Sequence, residues 1–164
     1  WYYADNNGNL VKGFQEIDGK WYHFDEVTGQ QAKGAALVNG QQLYFDVDSG
    51  IQVKGDFVTD GQGNTSYYDV NSGDKKVNGF FTTGDNAWYY ADSQGNLAKG
   101  RKSIDNQDLY FDPATGKQAK GQLVSIDGRN YYFDSDSGNM AKNRFVRIGD
   151  QWVYFGNDGA ATNL

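Results

Sequence analysis

One short pattern, a run of aromatic residues closed by aspartate, recurs from one end of the chain to the other: WYYAD, WYHFD, QLYFD, SYYD, WYYAD, DLYFD, NYYFD and, closed by glycine, WVYFG. The closing residues are Asp5, Asp25, Asp46, Asp69, Asp92, Asp112, Asp134 and Gly156, and they stand 20 to 23 residues apart. A glycine follows each cluster, and five or six residues later comes Lys-Gly, at Lys12-Gly13, Lys33-Gly34, Lys54-Gly55, Lys99-Gly100 and Lys120-Gly121. The second mark degrades to Asn78-Gly79 and Lys142-Asn143. Two registers held over 164 residues restrict the chain to stacked copies of one supersecondary unit.

The unit is a β-hairpin. Asp18-Gly19, Asn39-Gly40 and Asp127-Gly128 sit just before a ring cluster, and Gly84-Asp85, Asp105-Asn106 and Gly149-Asp150 are looser versions of the same signal. Asx-Gly between alternating residues marks a two-residue turn whose central positions need positive φ. No stretch keeps a helical period, and an isolated hairpin is marginal in water. Each unit must therefore bury its rings against its neighbours. The fold class that follows is all-β, a β-solenoid of about seven tandem hairpins of 20–23 residues, residues 1–164 forming a single repeat domain. A sandwich or barrel of short strands is the competing architecture, but it would not need so strict a repeat.

Strand alternation divides each ring cluster between two faces. One face carries Tyr22 with Phe24, Leu43 with Phe45, Leu109 with Phe111, Tyr131 with Phe133 and Val153 with Phe155, and its exchange of ring for aliphatic marks it as core. The other carries Tyr3, His23, Tyr44, Tyr67, Tyr90, Tyr110, Tyr132 and Tyr154. An insistence on tyrosine fits a half-exposed stacking platform with a wet hydroxyl, or a cover for the groove between hairpins.

Three connectors read alike: TGQQAKG from Thr28, SGIQVKG from Ser49 and TGKQAKG from Thr115. Each sets a glutamine two residues before a lysine, so in extended chain Gln31 and Lys33, Gln52 and Lys54, and Gln118 and Lys120 point the same way. The expected pockets group Tyr44 with Gln52 and Lys54, and Tyr110 with Gln118 and Lys120. A third, around Gln31 and Lys33, has His23 at the platform position.

Charge narrows the ligand. The net charge is −6, and the lysines are scattered rather than clustered, which argues against nucleic acid. A cation would want an aromatic cage rich in tryptophan, and there are four tryptophans. A neutral sugar needs a flat ring beneath its C–H face and a few polar side chains for its hydroxyls, which the platforms and connectors supply. A spacer that only holds another domain at a distance is the alternative from a different class.

Nothing assembles a catalytic site: the chain has one histidine, no cysteine and no GxSxG or HExxH, and its aspartates recur at turn positions where Asp is favoured for local backbone bonds. DVDSG at 46–50 and DSDSG at 134–138 open like calcium loops but lack the glutamate that completes them, so no metal and no cofactor is expected. No apolar run approaches the roughly 20 residues of a membrane helix. Starting at Trp1 in mid-pattern, the chain reads as an excerpt of a larger protein.

The stretches IDGKWYHFDEVTGQQAKG and IDGRNYYFDSDSG resemble the cell-wall-binding or YG-type repeats, and more closely the glucan-binding domain of the glucansucrases secreted by lactic-acid bacteria. The resemblance covers the whole chain. It implies a secreted, monomeric, extracellular or cell-wall-associated β-solenoid that binds α-glucans such as dextran, beside a covalently attached catalytic domain. It implies sugar pockets of a stacking tyrosine with connector Gln and Lys, again selecting Tyr44, Gln52 and Lys54, then Tyr110, Gln118 and Lys120, then Gln31 and Lys33. Two departures stand out: His23 replaces a tyrosine, and SGDKKVNG carries an extra residue and lacks the lysine at its usual place. The related choline-binding repeats place tryptophan after the connector glycine. Here that position reads Phe14, Ala35, Asp56, Phe80, Arg101, Gln122 and, after Asn143, Arg144, which disfavours choline. Clostridial-toxin repeats, which bind cell-surface oligosaccharides, share the hairpin signature.

Overall fold

A computed structural model describes all 164 residues and contains fourteen strands and no helix. The strands pair only as seven two-stranded antiparallel hairpins. Hairpins 1 to 3 are β1 (Gly13–Ile17) with β2 (Lys20–Phe24), β3 (Gly34–Val38) with β4 (Gln41–Phe45), and β5 (Asp56–Thr59) with β6 (Thr65–Tyr68). Hairpins 4 and 5 are β7 (Gly79–Gly84) with β8 (Ala87–Ala91) and β9 (Gly100–Ile104) with β10 (Gln107–Phe111). Hairpins 6 and 7 are β11 (Gln122–Ile126) with β12 (Arg129–Phe133) and β13 (Arg144–Ile148) with β14 (Gln151–Phe155). The chain divides into two compact units, Trp1–Asn78 with Ser93–Asn96, and Gly79–Asp92 with Leu97–Leu164.

The turns follow from their residues. Asp18 and Gly19 take φ of 55° and 77°, and Asp127 and Gly128 take 51° and 79°, the left-handed pair that lets strands twist back on each other. In hairpin 4 the turn is centred one residue later than Gly84-Asp85, on Asp85 and Asn86, because a bulge between Thr82 and Gly84 takes up one residue.

After each hairpin the connector doubles back along the second strand and reaches the hairpin before. Gln52, for example, bridges to Phe45, Val53 N–H donates to the Tyr44 carbonyl at 2.8 Å, and Gln52 N–H donates to the Trp21 carbonyl at 2.8 Å. The same bonds join Gln31 to Trp1, Lys75 to Gln42, Gln118 to Trp88, Met140 to Asp108 and Ala161 to Asn130. These stitch successive hairpins through backbone, so the architecture depends little on which side chains decorate it.

Connector length alternates in a way the Lys-Gly mark conceals. Gly55, Asn78, Gly121 and Asn143 all sit at φ between 52° and 67°, and each is followed by one residue more than in the shorter connectors. The extra residue of SGDKKVNG is therefore shared by four units, with asparagine taking the left-handed position that glycine takes elsewhere. Cross-strand pairing shows the consequence: the residues opposite His23 and the six platform tyrosines of the hairpins are Phe14, Ala35, Phe57, Phe80, Arg101, Leu123 and Phe145. Asp56, Gln122 and Arg144 thus each stand one place before that position.

The core face is as the alternation predicts. Phe45, Phe111, Phe133 and Phe155 are fully buried, with Leu43, Leu109 and Val153 beside them. The second face is less open than a platform. Tyr44 lies against the Tyr68 ring of the next hairpin at 5.7 Å, Tyr110 against Phe133 at 5.7 Å and Tyr132 against Phe155 at 6.2 Å, so each half-buried tyrosine also seals a seam. His23 is buried, edge-on to Phe14 at 4.7 Å, with Nε2 making no hydrogen bond and lying 3.9 Å from the Glu26 carboxylate. Its ring therefore fills a core position between hairpins, unlike the half-buried tyrosines at the same place in most other units.

The turn aspartates make stability depend on pH. Asp69 accepts the N–H groups of Asn71 and Ser72 at 2.9 Å each, and these bonds hold its carboxyl at about 2, below the usual 3.8. Asp25, Asp46, Asp112 and Asp134 are lowered for the same reason. A carboxyl lowered by folding stabilises the fold fully above its unfolded pKa and loses that contribution as pH falls through the folded one. The melting temperature, followed by near-ultraviolet circular dichroism, is expected to stay level down to about pH 5 and to fall steadily between about pH 4 and pH 2.

Candidate functional site

The three connectors that keep Gln-x-Lys share a partner that sequence spacing conceals. Lys33 Nζ lies 5.6 Å from the Trp1 ring centroid, Lys54 Nζ 5.9 Å from Trp21 and Lys120 Nζ 5.1 Å from Trp88. In each case the tryptophan belongs to the preceding ring cluster, and its carbonyl receives the glutamine N–H. Where a connector lacks the pair, the tryptophan is missing too: Lys75 faces Gln42, Met140 faces Asp108 and Ala161 faces Asn130. Lys142 meanwhile pairs with the Asp108 carboxylate. Trp and Gln are thus kept or lost together, while lysine also remains at Lys99 and Lys142; in the three complete groups the tryptophan precedes its Gln and Lys by 30 to 33 residues and is adjacent to them in space.

The glutamines have a second task. Gln31 Nε2 donates to the Ser49 carbonyl at 3.0 Å and Gln118 Nε2 to the Ser137 carbonyl at 3.4 Å, each bracing the next turn. Their amides occupy the space a Cβ would need at Gly50 and Gly138, both at positive φ. Gly138→Ala is expected to destabilise by about 1–3 kcal/mol. Combining it with Gln118→Ala should recover part of that loss, the strain at φ 76° remaining, as thermal melts of the two single variants and the double would show.

The Trp88 group opens on a cavity of about 690 Å³, lined also by Asn86, Lys117, Gln118, Lys120, Gln122 and Asp136. Lys120 is held there by donating to the Asp136 carbonyl at 3.0 Å. Gln118, only 5% exposed, also walls a second cavity of about 240 Å³ that contains Tyr110, Asp112 and Thr115. The structure thus brings Tyr110 and Gln118 to one cavity and Gln118 and Lys120 to the other. In the first unit, Gln52 and Lys54 line a cavity of about 320 Å³ with Asp46 and Ser49, while Tyr44 stays on the seam. Gln31 and Lys33 gather at Trp1, away from the buried His23. An apolar indole floor beside an ammonium, amides and a carboxylate suits a ligand with one apolar face and many hydroxyls.

The tryptophans are what sequence reasoning missed. The available signal was their coincidence with Gln-x-Lys one unit further on, which a search within each unit passes over.

A family model described as "Choline-binding repeat" matches residues 33–80 and 98–145, more than half of the chain. One described as "Putative cell wall binding repeat" matches 12–26, 78–97 and 143–161. Among curated proteins, Glucosyltransferase-S of Streptococcus mutans is 32% identical over 125 residues, 76% of this chain. The match covers 7% of that relative's length. Among solved structures, choline binding protein F of Streptococcus pneumoniae aligns over 99% of this chain and 54% of its own, at TM-score 0.76 and 26% identity. The choline-binding domain of CbpL from the same organism aligns over 93% and 78%, at TM-score 0.57 and 27% identity. Repeats of this kind are binding modules without catalytic machinery, and they run through the whole chain. With fold, repeat register and family model in agreement, the chain belongs to the choline-binding repeat family.

Proposed function

We propose that the chain is an α-glucan-binding module that tethers a larger secreted glucansucrase to its polymer, holding dextran-like chains on the Trp-Gln-Lys groups of Trp21, Gln52 and Lys54 and of Trp88, Gln118 and Lys120. The observation that carries this is that every Gln-x-Lys connector meets a tryptophan, a coincidence that backbone stitching does not require. A pyranose lays its C–H face on the indole, and the lysine, drawn to the ring by its charge, offers donors to the sugar oxygens. The cavity holding Tyr110 adjoins that of Trp88 through Gln118, so an extended glucan can engage both. The Trp1, Gln31 and Lys33 group is a third site of the same kind.

The same lysines decide against choline. A second cation about 4–5 Å from an ammonium costs about 3–4 kcal/mol at an effective dielectric of about 20. The Glucosyltransferase-S match supports the sugar reading and the enzyme context.

Single sites should bind in the millimolar range, about −4 kcal/mol, and several sites on one polymer add roughly 10² to 10⁴ in avidity. Native gel electrophoresis with dextran in the gel, beside a starch gel and a choline resin, tests this. Retardation by dextran with no retention on choline is the expected result. Unretarded migration in every α-glucan would leave a spacer, and capture by choline would reverse the ligand class.

A further inference from the structure

Five residues of hairpin 2 and of the unit that follows it line one cavity, and three of them, Ala35, Ala36 and Tyr68, are found in no sibling at those positions. Opposite the platform tyrosine stands Ala35, where other hairpins carry Phe, Arg or Leu. The next residue is Ala36, where they carry Gln, Val, Phe or Lys. The strand position held by Trp21 and Trp88 is Gln42, and the glutamine position of the following connector is Lys75. The end of the next hairpin, where Phe111, Phe133 and Phe155 are fully buried, is Tyr68, itself 3% exposed.

The two alanines open a cavity of about 380 Å³ against Leu37 and Leu43. Tyr68, Gln42 and Lys75 line it as well, so a phenol, a carboxamide and an ammonium-bearing chain surround an apolar wall. Removing side-chain volume and adding a hydroxyl where the siblings have only carbon would each weaken a structural repeat. Together, in one place, they build a pocket. Its size suits one or two sugar rings.

We propose that this cavity is a second, structurally different carbohydrate site, one that seats a single hexopyranose in an open apolar recess with no indole beneath it. The apolar wall of Ala35, Ala36 and Leu43 takes the C–H face, Tyr68 and Gln42 take the hydroxyls, and Lys75, whose ammonium donates to the Gln94 carbonyl at 3.3 Å, closes the rim with its stem. A quaternary ammonium is disfavoured because no tryptophan lines the cavity to cage it. A phosphate is disfavoured because Asp74 stands beside the site, its carboxylate accepting the Gln42 N–H at 3.0 Å. The ligand class rests on the sugar reading above, while the location rests on the cavity alone.

The test uses the full chain carrying Trp1→Ala, Trp21→Ala and Trp88→Ala, so that the open platforms are removed, with methyl α-glucoside as probe. Amide resonances of Ala35, Ala36, Leu37 and Leu43 should shift saturably, with a dissociation constant in the millimolar range. Tyr68→Phe should weaken the binding about fivefold or more, and Ala36→Phe should eliminate it. Both variants install residues that siblings carry at the same positions, Phe at 111 and at 81, and circular dichroism verifies that they fold. Absence of saturable shifts, or shifts undiminished in Ala36→Phe, overturns the proposal. Shifts that persist in a protein whose parent ignores dextran would uphold this cavity while removing the platforms, so the two readings fail separately.

Discussion

A chain carrying Trp21→Ala together with Trp88→Ala is expected to lose most of its retardation in a dextran gel, the Trp1 group remaining as a single weak site, and each single variant should lose less. The indole supplies the only broad apolar floor in the 690 Å³ cavity, and truncation also releases Lys120 from the position it takes 5.1 Å above the ring. Losing a stacking ring costs about 1–3 kcal/mol at one site, roughly tenfold or more in affinity. Losing two sites removes the avidity that makes millimolar contacts visible, so the combined effect reaches roughly 10² or greater. Trp152→Ala is the control, because that ring is paired with Arg147 of its own hairpin and not with a connector lysine. Equal retardation of the double variant and the parent would move the sugar to the tyrosines, and Tyr110→Ala would then be the variant that loses binding.

Phe111→Ala is the substitution expected to cost most in stability, about 3–5 kcal/mol. The ring is fully buried, and its backbone bridges to Gln118. A cavity left there cannot collapse readily, because the flanking connector is pinned by the bond from Gln118 N–H to the Trp88 carbonyl at 2.8 Å. Chemical denaturation should show a lower midpoint, and a two-step curve would show that the hairpins of the second unit unfold apart from those of the first. Phe111→Leu, which keeps most of the volume, should cost less than about 1.5 kcal/mol. A loss below about 1 kcal/mol for the alanine variant would mean that the rings are not the principal source of cohesion.

Repeat, hairpins, turn chemistry and core face were all legible in the sequence. Each depends on neighbours a few residues apart: Asp18-Gly19 sets its own turn, and alternation alone sends Phe45 inward and Tyr44 outward. The Gln-x-Lys signature was legible for the same reason. Connector length was not, because Asn78 and Asn143 stand in for glycine at a left-handed residue and hide a shared register. The burial of His23 was not, because it depends on Phe14 across the hairpin and on Phe45 in the next one.

What the sequence by itself determined is the repeat and its hairpins, since local turn propensity and two-residue alternation repeat within each unit. What only the tertiary structure decided is which rings meet which connectors. Trp88 and Lys120 lie 32 residues apart and come together because the connector after one hairpin bonds to the hairpin before it, a contact that no pattern within a single repeat encodes.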